Sequence, residues 1–292
     1  MSMTLWICLI SLGALWGASF AFIGLAVPDF GPYMTVQIRM VIGALALWAW
    51  TGNPFGNALL RHRGTVAALA AVGLLNAAVP YCLFALVVSL QGAAFGAILN
   101  ATAPLFASLL AITFLRDRPG WITALGMSVG FAGTAALMMG RSGPIEQTSW
   151  LALLLGLCGS AMYAISALVS RRFLRAVPPN LLATATCSIA AFALIPVGLS
   201  HWSTIHGASV RGWTGAISLG LLSTALGHVL YFKLVSEAGA HRALSVTYLV
   251  PLFGLLWSVL ILGERLTVLT VLCAIVVLGG VVLTVGLPSR QK

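Results

Sequence analysis

Apolar stretches of about 20 residues, each long enough to cross a lipid bilayer, follow one another along this 292-residue chain with only short polar breaks between them. Nothing else in the sequence constrains the fold as strongly. Only 7% of residues are charged, against roughly a quarter in soluble domains, so lipid is the solvent for most of the chain. A 19-residue reading window gives ten spans: 4–27, 33–50, 64–88, 94–115, 121–139, 150–171, 180–199, 213–235, 242–262 and 267–287. The breaks carry turn chemistry, as at Pro28, Gly31 and Pro32, at Pro119 and Gly120, and at Pro178 and Pro179. The expected fold class is an all-α membrane protein of ten transmembrane helices.

Fourteen of the fifteen basic residues, all but Arg39, fall unevenly on alternate connections. One set holds Arg61, Arg63, Arg116, Arg118, Arg171, Arg172, Arg175, Arg242, Arg290 and Lys292, with Lys233 at the end of its span; the other holds only Arg141, Arg211 and Arg265. This bias predicts a multi-pass protein with both termini in the cytoplasm. The basic residues form no stripe with interleaved aromatics, so nucleic acid is not an expected partner. The five cysteines lie singly in apolar runs, without metal-ligand spacing. No serine sits in GxSxG and no Gly-rich phosphate loop occurs, so neither an enzyme nor a bound cofactor or metal is expected.

Shifting the chain by 147 residues lays its second half on its first. Gly73-Leu74-Leu75 meets Gly220-Leu221-Leu222, Pro104-Leu105-Phe106 meets Pro251-Leu252-Phe253, and Arg116-Asp117-Arg118 meets Gly263-Glu264-Arg265. Each half, expected at 1–140 and 148–288, holds five spans. An odd number makes the halves cross in opposite senses, and an inverted repeat places a small-molecule site at the repeat interface near the midplane.

The paired halves, Leu15-Trp16-Gly17-Ala18-Ser19-Phe20 in the first span, Gln37-Ile38-Arg39 in the second, and Leu262-Gly263-Glu264-Arg265-Leu266-Thr267 before the last resemble the EamA branch of the drug/metabolite transporter superfamily. Within it the chain is most similar to the YddG-type exporters of aromatic amino acids. That resemblance implies a bacterial inner-membrane exporter of small neutral, aromatic or apolar amino acids working by alternating access. Another small metabolite or a drug stays open as cargo, and a channel is the more distant alternative.

All five acids sit at span ends or in connections, so a carboxylate proton relay is not expected; His228 is the residue that would carry a proton if one moves. Polar and aromatic side chains at mid-depth are few. The expected binding residues are Trp16, Asn76, Tyr81, Asn100, Tyr163, Ser223, His228, Tyr231, Thr247 and Tyr248, many of them paired by the 147-residue shift. Each has an ordinary packing alternative. Pro80, Pro104, Gly227 and Pro251 are expected gating hinges, static kinks being the alternative. Arg39, well inside the second span, could meet an anion or snorkel to headgroups, and Lys233 could snorkel. Gly13 with Gly17, and Gly126 with Gly130, allow close helix approach, expected within a monomer.

Overall fold

The computed structural model describes residues 2–52, 63–115, 120–139, 146–238, 243 and 246–285. Among them the only regular structure is helical: α1 (Met3–Thr51), α2 (Arg63–Gly73), α3 (Val79–Gln91), α4 (Ala93–Asn100), α5 (Ala103–Leu115), α6 (Trp121–Met139), α7 (Glu146–Phe173), α8 (Pro179–Ala193), α9 (Ile195–Ser200), α10 (Val210–Ser218), α11 (Gly227–Ala238), α12 (Val246–Leu262) and α13 (Val268–Val285). In hydrocarbon every backbone polar group has to be satisfied within its own segment, which is why apolar runs become helices.

The first two expected spans share α1, and they reverse at a single residue. Gly31 has φ 69° and ψ 170°, a conformation an L side chain rarely adopts, between Pro28 and Pro32. Trp16 Nε1 donates to the Ser223 carbonyl and Arg39 Nε donates to Thr224 Oγ1. A straight helix would hold Trp16 and Arg39 about 34 Å apart. Their contacts with adjacent residues show that the two halves of α1 run side by side.

Packing repeats under exchange of the halves. The first span packs on the ninth and the sixth on the fourth; the second packs on the eighth and the seventh on the third; the fifth and tenth pair with each other. The two protein halves therefore interlock as an inverted repeat of five spans each. Both glycine pairs serve this packing within one chain. Gly17 faces Phe253 and Gly254 of α12, and Gly126 and Gly130 lie against Gly280 of α13.

Four spans depart from simple α-helix: in the seventh, α8 gives way to α9 at a turn on Leu194, and in the other three the departure sits just ahead of an expected hinge. A π-helical segment, Leu74–Ala78, joins α2 to α3 immediately before Pro80, and another, Leu219–Leu226, joins α10 to α11 at Gly227. Pro80 has no N–H, so the Asn76 carbonyl has no i+4 backbone partner, and Val79 N–H bonds back to the Leu74 carbonyl, five residues away. In the fourth span the helix stops at Asn100, turns at Ala101–Thr102 and restarts, so that Pro104 lies in the first turn of α5, where a missing N–H costs nothing. Of the four expected hinges, Pro251 alone stands inside an unbroken helix.

Most tryptophans near span ends, including Trp6, Trp50, Trp121, Trp150 and Trp202, are exposed, where a ring can lie in the membrane interface. Trp213 instead packs edge-on against Phe30, with centroids 5.0 Å apart. Cys158 is exposed while Cys8, Cys82, Cys187 and Cys273 are buried.

Candidate functional site

One cavity of about 1130 Å³ lies between the repeats. Nine of the ten residues singled out in the sequence line it: Trp16, Asn76, Tyr81, Asn100, Tyr163, His228, Tyr231, Thr247 and Tyr248. Ser223 does not. It is buried, and its hydroxyl donates to the Leu15 carbonyl, so it ties the first span to the eighth instead of facing the cavity. Of the expected hinges only Pro104 reaches the lining; Pro80 and Pro251 are buried away from it, and Gly227 lies under the Trp16 indole.

The walls obey the repeat. On one side Tyr163 stacks on Phe84 with centroids 5.8 Å apart and meets Tyr81 edge-on at 6.4 Å. On the other, Trp16 lies over Tyr231 at 5.6 Å and meets His228 edge-on at 6.3 Å. The 147-residue shift converts one triad into the other: Trp16 into Tyr163, Tyr81 into His228, Phe84 into Tyr231. Phe84 is the member that sequence reasoning missed. An apolar ring is inconspicuous in a chain this apolar, but its pairing with Tyr231 under the shift was a usable signal. Ser19 and Ser166, another such pair, also line the cavity.

His228 Nδ1 lies 2.6 Å from the Thr224 carbonyl, which can only accept, so that nitrogen carries the proton and Nε2 is left as an acceptor in the neutral ring.

Arg39 neither snorkels nor reaches headgroups. It is buried, lines the cavity, donates from Nε to Thr224 Oγ1 at 2.9 Å, and holds its guanidinium carbon 3.9 Å from the Tyr81 ring centroid. The contacts come from two other spans, the eighth and the third, and they fix the side chain. Taking a cation from water costs several kcal/mol; a cation–π contact returns about 0.5–2 kcal/mol and one hydrogen bond about 1 kcal/mol. Those two contacts leave part of the cost unmet. Lys233, by contrast, is exposed and outside the lining, as a snorkelling lysine should be.

The cavity has distinct ends. Arg171, Arg175 and Pro179, at the connection between α7 and α8, belong to its lining. On the alternate connections, which the span count puts on the other side of the bundle, the two halves bond to each other. Asp29 accepts from Ser209 N–H at 2.9 Å and from the Ser209 hydroxyl; these bonds, the hydroxyl's foremost, hold its carboxyl below the usual range. Glu264 accepts from Ala93 N–H at 2.6 Å and Ala94 N–H at 3.1 Å, capping the N-terminus of α4. Gly92 precedes that terminus with φ 88°, and a Cβ there would meet Glu264 Oε1 at 2.6 Å, so both backbone and space require glycine. Asp117, the repeat mate of Glu264, lies outside the described residues.

No group of three or more His, Cys, Asp or Glu suited to a metal occurs among the described residues. A helical bundle built of two inverted halves around a solute-sized chamber defines a membrane transport protein. The model of the EamA-like transporter family matches residues 4–139 and again 150–286, and the chain belongs to that family. It is 24% identical over 274 residues to the uncharacterized transporter YdfC of Bacillus subtilis strain 168, covering 92% of this chain and 87% of that one. It is 26% identical over 178 residues, 57% of this chain and 55% of the other, to a protein described as a probable terminal-alkyne amino-acid exporter of Streptantibioticus cattleyicolor. A crystal structure aligned over the whole of both chains with a TM-score of 0.62 at 16% identity shows the same fold.

Proposed function

We propose that this transporter exports small neutral amino acids, aromatic or otherwise apolar, across the bacterial inner membrane by alternating access, with both termini in the cytoplasm. The observation that carries the reading is the chamber itself: two aromatic triads face a volume within reach of Asn76, Asn100 and Thr247. Rings suit an apolar side chain, and amides offer the donors and acceptors that an ammonium and a carboxylate need. The amino-acid cargo in the description of the Streptantibioticus relative supports the same class. In the expected orientation the Arg171–Arg175 end is cytoplasmic, so the conformation described is inward-facing. The halves 1–140 and 148–288 would rock as units about the breaks next to Pro80, Pro104 and Gly227 and the bend at Pro251. The working unit is a monomer, since its glycine stripes are used internally. No step calls for an enzyme active site or a cofactor.

Intracellular metabolite levels compared with and without the protein test the cargo class: the cargo falls when the protein is present, and an unchanged amino-acid pool overturns the reading. In proteoliposomes uptake should be saturable and stereoselective; non-saturating ion conductance would indicate a channel. Asn76→Ala and Asn100→Ala should each lower flux several-fold with normal membrane insertion, and unchanged flux would return that amide to packing.

His228 in the wall favours a second reading, proton-coupled transport. No carboxylate lines the cavity among the described residues, and we place energy coupling in the cargo's own gradient. Collapsing the proton gradient should leave equilibration of the cargo intact. Abolished flux would instead make His228 the proton carrier.

A further inference from the structure

The chamber is nearly symmetric in chemistry, and the exception locates a charge. Aromatic faces aromatic and Ser19 faces Ser166 across the repeat, but the 147-residue mate of Arg39 is Thr186, which also lines the cavity. The repeat therefore sets a cation at one lining position and a neutral hydroxyl at its mate. Apart from Arg39 the charged lining residues are Arg171 and Arg175 at the mouth, and no Asp or Glu is among the lining residues described. Of the acids described elsewhere, Asp29 is engaged by Ser209, Glu264 by the start of α4, and Glu237 is exposed near the end of α11, outside the lining. Among the described residues, no side chain supplies Arg39 with a counter-charge.

We propose that Arg39 binds a carboxylate of the cargo, making carboxylate-bearing solutes the substrate class and setting which way round the solute sits. The inference rests on the reading of this chamber as the cargo site, but not on the cargo being an amino acid. Three features make the guanidinium a receptor. Its orientation is fixed in advance: the Nε bond to Thr224 Oγ1 and the Tyr81 ring beneath the plane hold it still, so little freedom is lost when the remaining N–H groups are engaged. Its planar edge matches the two oxygens of a carboxylate, which a lysine could not. Cargo entry displaces solvent from the chamber, so a cation tolerated in the open cavity must then be met by negative charge from the solute. Arg171 and Arg175 at the mouth add a positive potential that draws anionic ends inward. A phosphate is less well served, since only one guanidinium lies at depth.

The test is binding to the purified full chain, followed by ligand-dependent thermal stabilisation, with four probes that share one ring: L-phenylalanine, L-phenylalaninamide, phenethylamine and 3-phenylpropionate. The unaltered protein should bind the two carboxylates about tenfold or more tighter than the amide and the amine. Arg39→Gln should erase that ratio by weakening the acids and leaving the amide alone. Arg39→Lys keeps the charge without the fork and should fall between; it also stands in if the glutamine variant fails to fold. Equal affinity for phenylalanine and its amide in the unaltered protein overturns the proposal while leaving the amino-acid reading intact. So does a ratio that survives in a folded Arg39→Gln protein. Binding of 3-phenylpropionate without phenylalanine does the reverse: Arg39 keeps its role and the amino-acid reading falls. Binding of none of the four by folded protein overturns both.

Discussion

Gly280→Leu should strip the bundle of its fifth-to-tenth span interface and lower its stability by about 3 kcal/mol or more, the top of the usual range for overpacking. The reason is that nothing at this crossing can move aside. A Cβ on Gly280 would meet Gly130 N, Gly130 Cα at 2.5 Å and Gly126 O at 2.7 Å, all backbone. A Cβ on Gly126 would in turn meet Thr284 N at 2.6 Å. Its neighbour Gly279 has nothing within 4 Å, so Gly279→Ala should stay within about 0.5 kcal/mol of the parent. Thermal unfolding in detergent compares the two. Equal melting would mean the helices are not in backbone contact, and the inverted packing described here would lose its fifth-to-tenth pair.

Glu264→Ala should open the face that carries the Gly92 and Gly263 turns. Hydrogen bonds to charged groups are worth about 1.5–3 kcal/mol each, and Glu264 makes two of them across the repeat interface. In an alternating-access cycle these bonds have to break for that face to open. Their loss should shift the population toward the open form by about tenfold or more. In a cysteine-free background carrying Ser19→Cys in the cavity wall, an impermeant thiol reagent applied at that face should label the variant about ten times faster than the parent. Unchanged labelling in a folded variant would mean that Glu264 caps a helix without latching anything.

Much of this was legible in the sequence because lipid makes hydropathy so demanding. Spans, parity and repeat all follow from where apolar runs start and stop. The chamber residues were legible for a related reason: rings and amides at mid-depth are rare, and nine of ten of those named share one cavity. Three details were not. Depth along a span says nothing of which way a side chain faces, so for Arg39 an anion and the headgroups both stayed open as partners until Thr224 and Tyr81 were seen to hold it inside. Adjacent hydroxyls at 223 and 224 face different neighbours, and only helix register decides which. Register is disturbed just there, by a π segment that no composition signal announces.

Those two π segments occupy matching positions, 74–78 and within 219–226, and a π turn, bonded i to i+5, takes in about one residue more than an α turn. An added residue turns everything beyond it by about 100°. Tyr81, Phe84, His228 and Tyr231 all follow such a step, so their inward aim is set by a main-chain count made a turn or two earlier. Excising a single residue near Leu75 or Leu222 would leave each span long enough for the bilayer yet swing a whole aromatic wall out toward the fatty acyl chains.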